Sequence, residues 1–115
     1  MKIAVIGSRE FKDKNLIQNM MPEILRTSND VLISGGARGV DSWAEAEAKL
    51  LGCKCLIFQA DWERFGKQAG YLRNKEIINI ADKVVAFWDG SSKGTKISID
   101  LAIKAKKPID IYVRQ

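Results

Sequence analysis

The chain has 115 residues, 46% of them apolar, and 19 basic against 14 acidic side chains give it a formal charge of +5. That length predicts one domain, residues 1–115, large enough to bury its own core, and the charge favours anionic partners without choosing among them. Histidine is absent, which excludes His-based triads and His-ligated zinc. The two cysteines, Cys53 and Cys55, sit in an apolar run with no further ligands nearby, so no metal site is expected. There is no uninterrupted run of about 18 apolar residues, and the N-terminus enters KIAVIG directly. The expectation is a cytoplasmic protein with no membrane partner.

Short β-branched runs alternate with segments of helical period, the pattern of consecutive βαβ units around a buried parallel sheet. The first strand is residues 2–6. It leads into GSREF, where Gly7, Ser8 and Arg9 put a hydroxyl and a guanidinium within reach of an anion. Residues 13–26 carry Leu16, Ile17, Met20, Ile24 and Leu25 at helical spacing, with Pro22 expected to kink or split the helix.

The second strand, residues 31–34, runs into GGARGVD. Gly35 and Gly36 permit positive φ and remove Cβ atoms, Ala37 and Arg38 follow, and Gly39 permits close packing at the entry to a helix. Such a turn offers a nest of unpaired amides and a helix N-terminus, for which phosphate is a natural occupant. Arg38 can close over that phosphate or point to water. The helix, residues 40–51, places Val40, Trp43, Ala44, Ala48 and Leu51 on one side and stops at Gly52. Asp41 and Glu45 share a face; acids there complement the helix dipole, and Asp41 can also accept from a ribose hydroxyl.

A third strand at 53–58 precedes the loop ADWERFGKQAGYLRN and a helix at 68–81. Arg73 and Asn74 combine a cationic fork with an amide that can read a base or ribose; alternatively, Arg73 bonds loop carbonyls. Trp62 either stacks a base or covers the core. After a strand at 83–88, DGSSKGT is a second glycine-rich turn, offering Gly90, Gly94 and Thr95 ahead of a helix at 95–106. The lysines of KAKKP read as a solvated helix end, and Pro108 opens the last strand, 109–113. The expected fold is α/β: a three-layer, doubly wound, Rossmann-like sandwich with a mostly parallel five-stranded sheet and its ligand site at the carboxyl ends of the strands.

GSREF, LISGGARGVD, ADWERFGKQAGYLRN and FWDGSSKGT, in that order, resemble the SLOG superfamily of Rossmann-like nucleotide-binding domains, within it the YspA-like branch, from Ile3 to about Lys107. The resemblance implies a nucleotide or nucleotide-derived ligand of unspecified base held across the glycine loops, with no separate cofactor. It also implies frequent self-association, hence a homodimer. The cytokinin-activating (LOG) phosphoribohydrolases of this superfamily carry PGGxGTxxE, whose glutamate helps cleave an N-glycosidic bond. DGSSKGTKIS matches at Gly90, Gly94 and Thr95 but has Ser98 in the glutamate's place. Serine cannot supply the carboxylate, so no catalytic residue is assigned and hydrolysis of that type is not expected. Asp100 is about 200° further round the helix and should face elsewhere. An enzyme acting on nucleoside monophosphates would have to use Asp41 or Glu45. ARGVD also resembles a loop of DNA-processing protein A, which implies single-stranded nucleic acid as an alternative partner, although no row of exposed aromatics among basic residues is evident in the sequence.

Overall fold

In the computed structural model, which describes Met1–Gln115, five strands form one sheet in the order β3-β2-β1-β4-β5, every neighbouring pair parallel. They are β1 (Lys2–Gly7), β2 (Val31–Ser34), β3 (Lys54–Ile57), β4 (Lys83–Trp88) and β5 (Ile109–Val113). Five helices connect them: α1 (Lys14–Ile24), α2 (Val40–Leu50), α3 (Trp62–Phe65), α4 (Ala69–Ile80) and α5 (Lys93–Lys104). The sheet is entirely parallel, as right-handed crossovers between successive strands require.

Alternation along the strands sorts the core into two layers. Ile3 and Val5 of β1, Leu32, Val85 and Phe87 face one side, where α1 brings Ile17 and Met21 and α2 brings Val40, Ala44 and Ala48. Ala4 and Ile6, Ile33, Val84 and Ala86 face the other, against Ile77 and Ile78 of α4 and Ile99 and Ala102 of α5.

Three expectations need correction. Pro22 does not split α1, which continues to Ile24: the proline falls in the last turn, and the Leu25 N–H closes the helix on the Met21 carbonyl at 2.8 Å. Helix α5 begins two residues before the expected Thr95, because the Ser92 hydroxyl caps it by accepting from the Thr95 N–H at 3.4 Å. Residues 62–68, expected as loop, form the short α3 and a 3-10 turn, Gly66–Gln68, with the Asp61 carboxylate accepting from the Arg64 N–H at 3.1 Å. The late lysine cluster does finish a helix, but Lys107 also donates to the carbonyls of Asn79 and Ala81 at the end of α4, at 3.1 and 2.8 Å.

Gly7 sets how closely α2 approaches the end of β1: a Cβ there would lie 2.5 to 2.6 Å from the Val40 side chain, which is fully buried. Gly7→Ala should therefore cost about 1 to 3 kcal/mol by overpacking. Urea unfolding of Gly7→Ala, Val40→Ala and the double variant should show the double losing less than the sum of the singles, since truncating Val40 makes room for the added methyl.

Candidate functional site

Strands β1 and β4 lie side by side, but the chain leaves β1 toward α1 on one face and leaves β4 toward α5 on the other. That reversal opens a crevice at their carboxyl ends. Ser8 occupies it. Its N–H donates to the Phe87 carbonyl at 3.1 Å, and its buried hydroxyl accepts from the Asp89 N–H at 3.3 Å and pairs with the Thr95 hydroxyl at 3.2 Å. The first turn of the chain and its last glycine-rich turn are thus fastened together.

Above this fastening is a hollow of about 740 Å³, within the range of small-molecule sites. Of the residues singled out in the sequence, Gly7, Ser8, Arg9, Gly35, Ala37, Arg38, Asp41, Arg73, Asn74, Gly94 and Thr95 line it. Gly36, Gly39 and Gly90 are not on its wall. These three serve the turns: all have positive φ (70°, 78° and 86°), and a Cβ on Gly39 would sit 2.9 Å from the Arg9 carbonyl. Gly35 does not have positive φ; it is glycine because a Cβ would press on Arg73 Nη1 at 2.9 Å and Asp41 Oδ2 at 3.0 Å.

The expected nest of open amides is partly used: those of Arg38, Gly39 and the first turn of α2 have no partner within the chain, but those before them do. The Gly36 N–H donates to Ser34 Oγ at 3.3 Å, that hydroxyl donates to Glu45 at 2.6 Å, and the Ala37 N–H donates to Asp41 at 3.1 Å. In the last turn Asp89 takes the amides of Ser91 and Ser92 at 2.9 and 2.8 Å, which holds its carboxyl below the usual range. The Gly94 amide, in the first turn of α5, is not the one that the Ser92 cap takes; it has no partner within the chain and lies in the wall.

Cationic groups are better placed. Arg73 donates through Nη1 to the Gly35 carbonyl at 2.8 Å and through Nε to Asn74 Oδ1 at 2.8 Å, so it does bond a loop carbonyl, as one reading of the sequence allowed. Burial lowers its pKa, nearby Asp41 opposes that, and Arg9 adds repulsion. Arg9 is exposed and forms no ion pair. Arg38 instead reaches Glu10 at 3.5 Å, both side chains about three-quarters exposed at 76% and 77%, a contact of little energetic weight.

The wall also contains Trp62, for which the sequence left two roles open, and Lys67, Gly70, Tyr71, Ile77 and Ser91–92, which no motif in the sequence marks. One signal was available: Gly70, Arg73, Asn74 and Ile77 are a single stripe at helical spacing on α4. Trp62 does not cover the core; it is 54% exposed at the rim, with Phe65 (43%) and Tyr71 (44%) nearby in sequence and Arg64 and Lys67 between them. Exposed aromatics among basic residues are therefore present, contrary to the reading of the sequence. Ser98 is buried in the wall at the position of the motif glutamate, while Asp100 turns away to pair with Lys96 at 2.8 Å. Glu45 is not in the wall.

Burial pushes the Asp41 carboxyl up from 3.8 to about 6, against the lowering influence of the Ala37 N–H and Arg73; Glu45 adds to the rise. The folded state thus holds this proton more tightly than the unfolded chain. Stability linked to Asp41 is greatest below 3.8 and falls as pH rises toward about 6, by about 3 kcal/mol in all. Asp41→Asn should remove that slope: the difference in unfolding free energy between variant and parent, from urea titrations, should shift in the variant's favour between pH 4 and pH 7.

Comparison with known proteins agrees with this geometry. Residues 1–65 match the model of the YspA, cpYpsA-related SLOG family (YAcAr). The Gene 61 protein of Mycobacterium phage D29 is 34% identical over 116 residues, spanning 94% of this chain and 93% of its own. Two solved structures share the fold at low identity: DNA processing protein A from Helicobacter pylori, studied for its single-stranded DNA binding mode (TM-score 0.76, 23% identical, all of this chain and 66% of that one), and DNA processing protein A from Streptococcus pneumoniae (TM-score 0.78, 18% identical, 97% of this chain and 49% of that one). The chain therefore spans between half and two-thirds of those proteins. Through the family match over residues 1–65 and the 34% identity to the phage relative, the chain, with its parallel β3-β2-β1-β4-β5 sheet, belongs to the YspA-related SLOG family.

Proposed function

We propose that the chain binds a phosphate-bearing nucleotide in the hollow at the carboxyl edge of its sheet, as a recognition module rather than a hydrolase. The observation that carries this reading is Arg9, a guanidinium without an ion pair, brought beside Arg73 at the wall of a small-molecule-sized hollow. Two neighbouring guanidiniums repel one another, and a phosphate between them would relieve that repulsion through charge-assisted hydrogen bonds. The Gly94 amide at the start of α5 adds a donor and a favourable dipole, and the Ser8 and Thr95 hydroxyls supply a polar floor. Hydrolysis is disfavoured because Ser98 stands where the phosphoribohydrolase motif has its carboxylate.

Single-stranded nucleic acid is a second reading, favoured by the exposed Trp62, Phe65 and Tyr71 among Arg64 and Lys67, and by the single-stranded DNA binding studied in the Helicobacter pylori protein of the same fold. The hollow's volume favours the smaller ligand.

Calorimetric titration with ribonucleoside mono- and diphosphates should find a binder. Arg9→Ala should weaken it about 10- to 100-fold, the loss of one charge-assisted bond of about 1.5 to 3 kcal/mol, and leave the unliganded melting temperature unchanged because Arg9 supports nothing else. If no nucleotide binds at millimolar concentration, the proposal fails. An oligonucleotide that binds with a steep salt dependence and is not displaced by excess mononucleotide would establish the second reading instead.

A further inference from the structure

We infer that Trp62 is a preset stacking platform for the nucleobase, so that base recognition resides in the segment Trp62–Tyr71 and phosphate recognition in the glycine-rich turns. The inference rests on the nucleotide-binding reading and adds which part of the ligand this edge of the hollow takes.

Gly70 is the starting point. It lies in the first turn of α4, has no positive φ, and costs a helix about 1 kcal/mol relative to alanine, so the backbone gives no reason for glycine there. The reason is steric: a Cβ on Gly70 would meet Trp62 Cη2 at 3.3 Å and Cζ2 at 3.9 Å. The missing methyl lets the six-membered ring of the indole lie against α4.

The local chain turns sharply to bring it there. The Asp61 carboxylate caps α3, Gly66 with φ 56° ends it by donating its N–H to the Trp62 carbonyl, and the 3-10 turn runs directly into Ala69, which is buried. Nothing in this arrangement hides the indole, which remains 54% exposed and lines the hollow beside Tyr71. An aromatic side chain laid down by its own glycine but left uncovered is prepared for contact with another flat, apolar face.

Its position suits a base. Gly70 and Arg73 are three residues apart on the stripe of α4 that faces the hollow, a rise of about 4.5 Å along the helix. Arg73 and the Gly70 backbone on which Trp62 lies thus face one hollow from adjacent positions on the same helix, so that a single nucleotide could meet both. Lys67 and Tyr71 border the same rim, and Asn74, whose Oδ1 is already taken by Arg73, keeps its amide N–H groups for a ribose or base acceptor.

The test compares adenosine 5′-monophosphate with ribose 5-phosphate by calorimetry, on the parent chain and on Trp62→Ala and Trp62→Phe. The expected result is that the nucleotide binds about 10-fold or more tightly than the sugar phosphate. Trp62→Ala should erase that difference without weakening ribose 5-phosphate, and Trp62→Phe should restore most of it. Equal affinity of the two ligands for the parent, or equal weakening of both by Trp62→Ala, would overturn the stacking role and leave the phosphate reading standing. Binding of neither ligand by the parent would overturn the stacking role, while the phosphate reading would stand or fall with the wider titration of nucleotides.

Discussion

The site depends on a seam. In a sheet ordered β3-β2-β1-β4-β5, strands β1 and β4 are neighbours although most of the chain lies between them, and helices leave them on opposite faces. Nothing in the ladder itself closes the carboxyl end of that pair. Ser8 does so, with its amide on the Phe87 carbonyl and its hydroxyl between the Asp89 amide and the Thr95 hydroxyl. A buried hydroxyl without partners would cost about 1 to 3 kcal/mol, so the position both requires and rewards the three contacts. Because Ser8 is held, Arg9 immediately after it is directed to the mouth of the hollow, and Gly7 immediately before it admits Val40 at the start of α2. Ser8 thereby ties β1 to β4 and α5, and its neighbour Gly7 sets the approach of α2.

The second constraint is electrostatic. The glycine-rich turn after β2 uses its own amides on Ser34 and Asp41, and Asp41 accomplishes this only by being buried, which pushes its carboxyl to about 6. Arg73 stands beside it, tied to the Gly35 carbonyl, and partly relieves the burial. The result is a loop whose first two amides after Gly35 are satisfied inward. In an α/β sheet of this kind, main-chain amides at a glycine turn are the obvious anion donors; here those of Gly36 and Ala37 are committed, while those of Arg38, Gly39 and the first turn of α2 have no partner within the chain.

The fold was legible because each strand is a short β-branched run and each helix carries its apolar stripe at helical spacing. The turns were legible in outline: the glycines at 35, 36, 39, 90 and 94 mark strand-to-helix entries. Their separate reasons were not. Gly35 is small because of Arg73 and Asp41, Gly39 because of the Arg9 backbone, and Gly7 because of Val40; all of these are contacts across the fold that no local pattern encodes. The segment 62–68 was read as loop because its helix is four residues long, too short for periodicity to register. Trp62 was ambiguous for the same reason: exposure of a loop aromatic is decided by where the turn delivers it, and the turn was set by Gly66 and Asp61. Gly70 was the one local clue, a glycine inside a helical stripe with no cap to explain it.

The carboxylates of the wall bear on whether the hollow recognises or transforms its occupant. There are three, and each is engaged. Glu10 faces Arg38 at the surface, Asp89 holds two amides at the entry to α5, and Asp41 holds the Ala37 amide. A general acid or base must change its proton while its surroundings stay put. Asp89 is poorly suited, because the amides that hold its carboxyl low also fix the turn, so protonating it would release Ser91 and Ser92 together. Asp41 has a pKa nearer the working range, but it gains this from burial within a loop that it also closes, so moving its proton alters the Gly35–Asp41 turn itself. Ser98, buried in the wall, presents a hydroxyl and no charge. The side chains that carry charge into the hollow without a structural counterpart are cations, Arg9 and Lys67. Two of the wall's three acids are thus tied into its own turns, while two of its cations have no counterpart, and the field this leaves in the hollow favours anions in general.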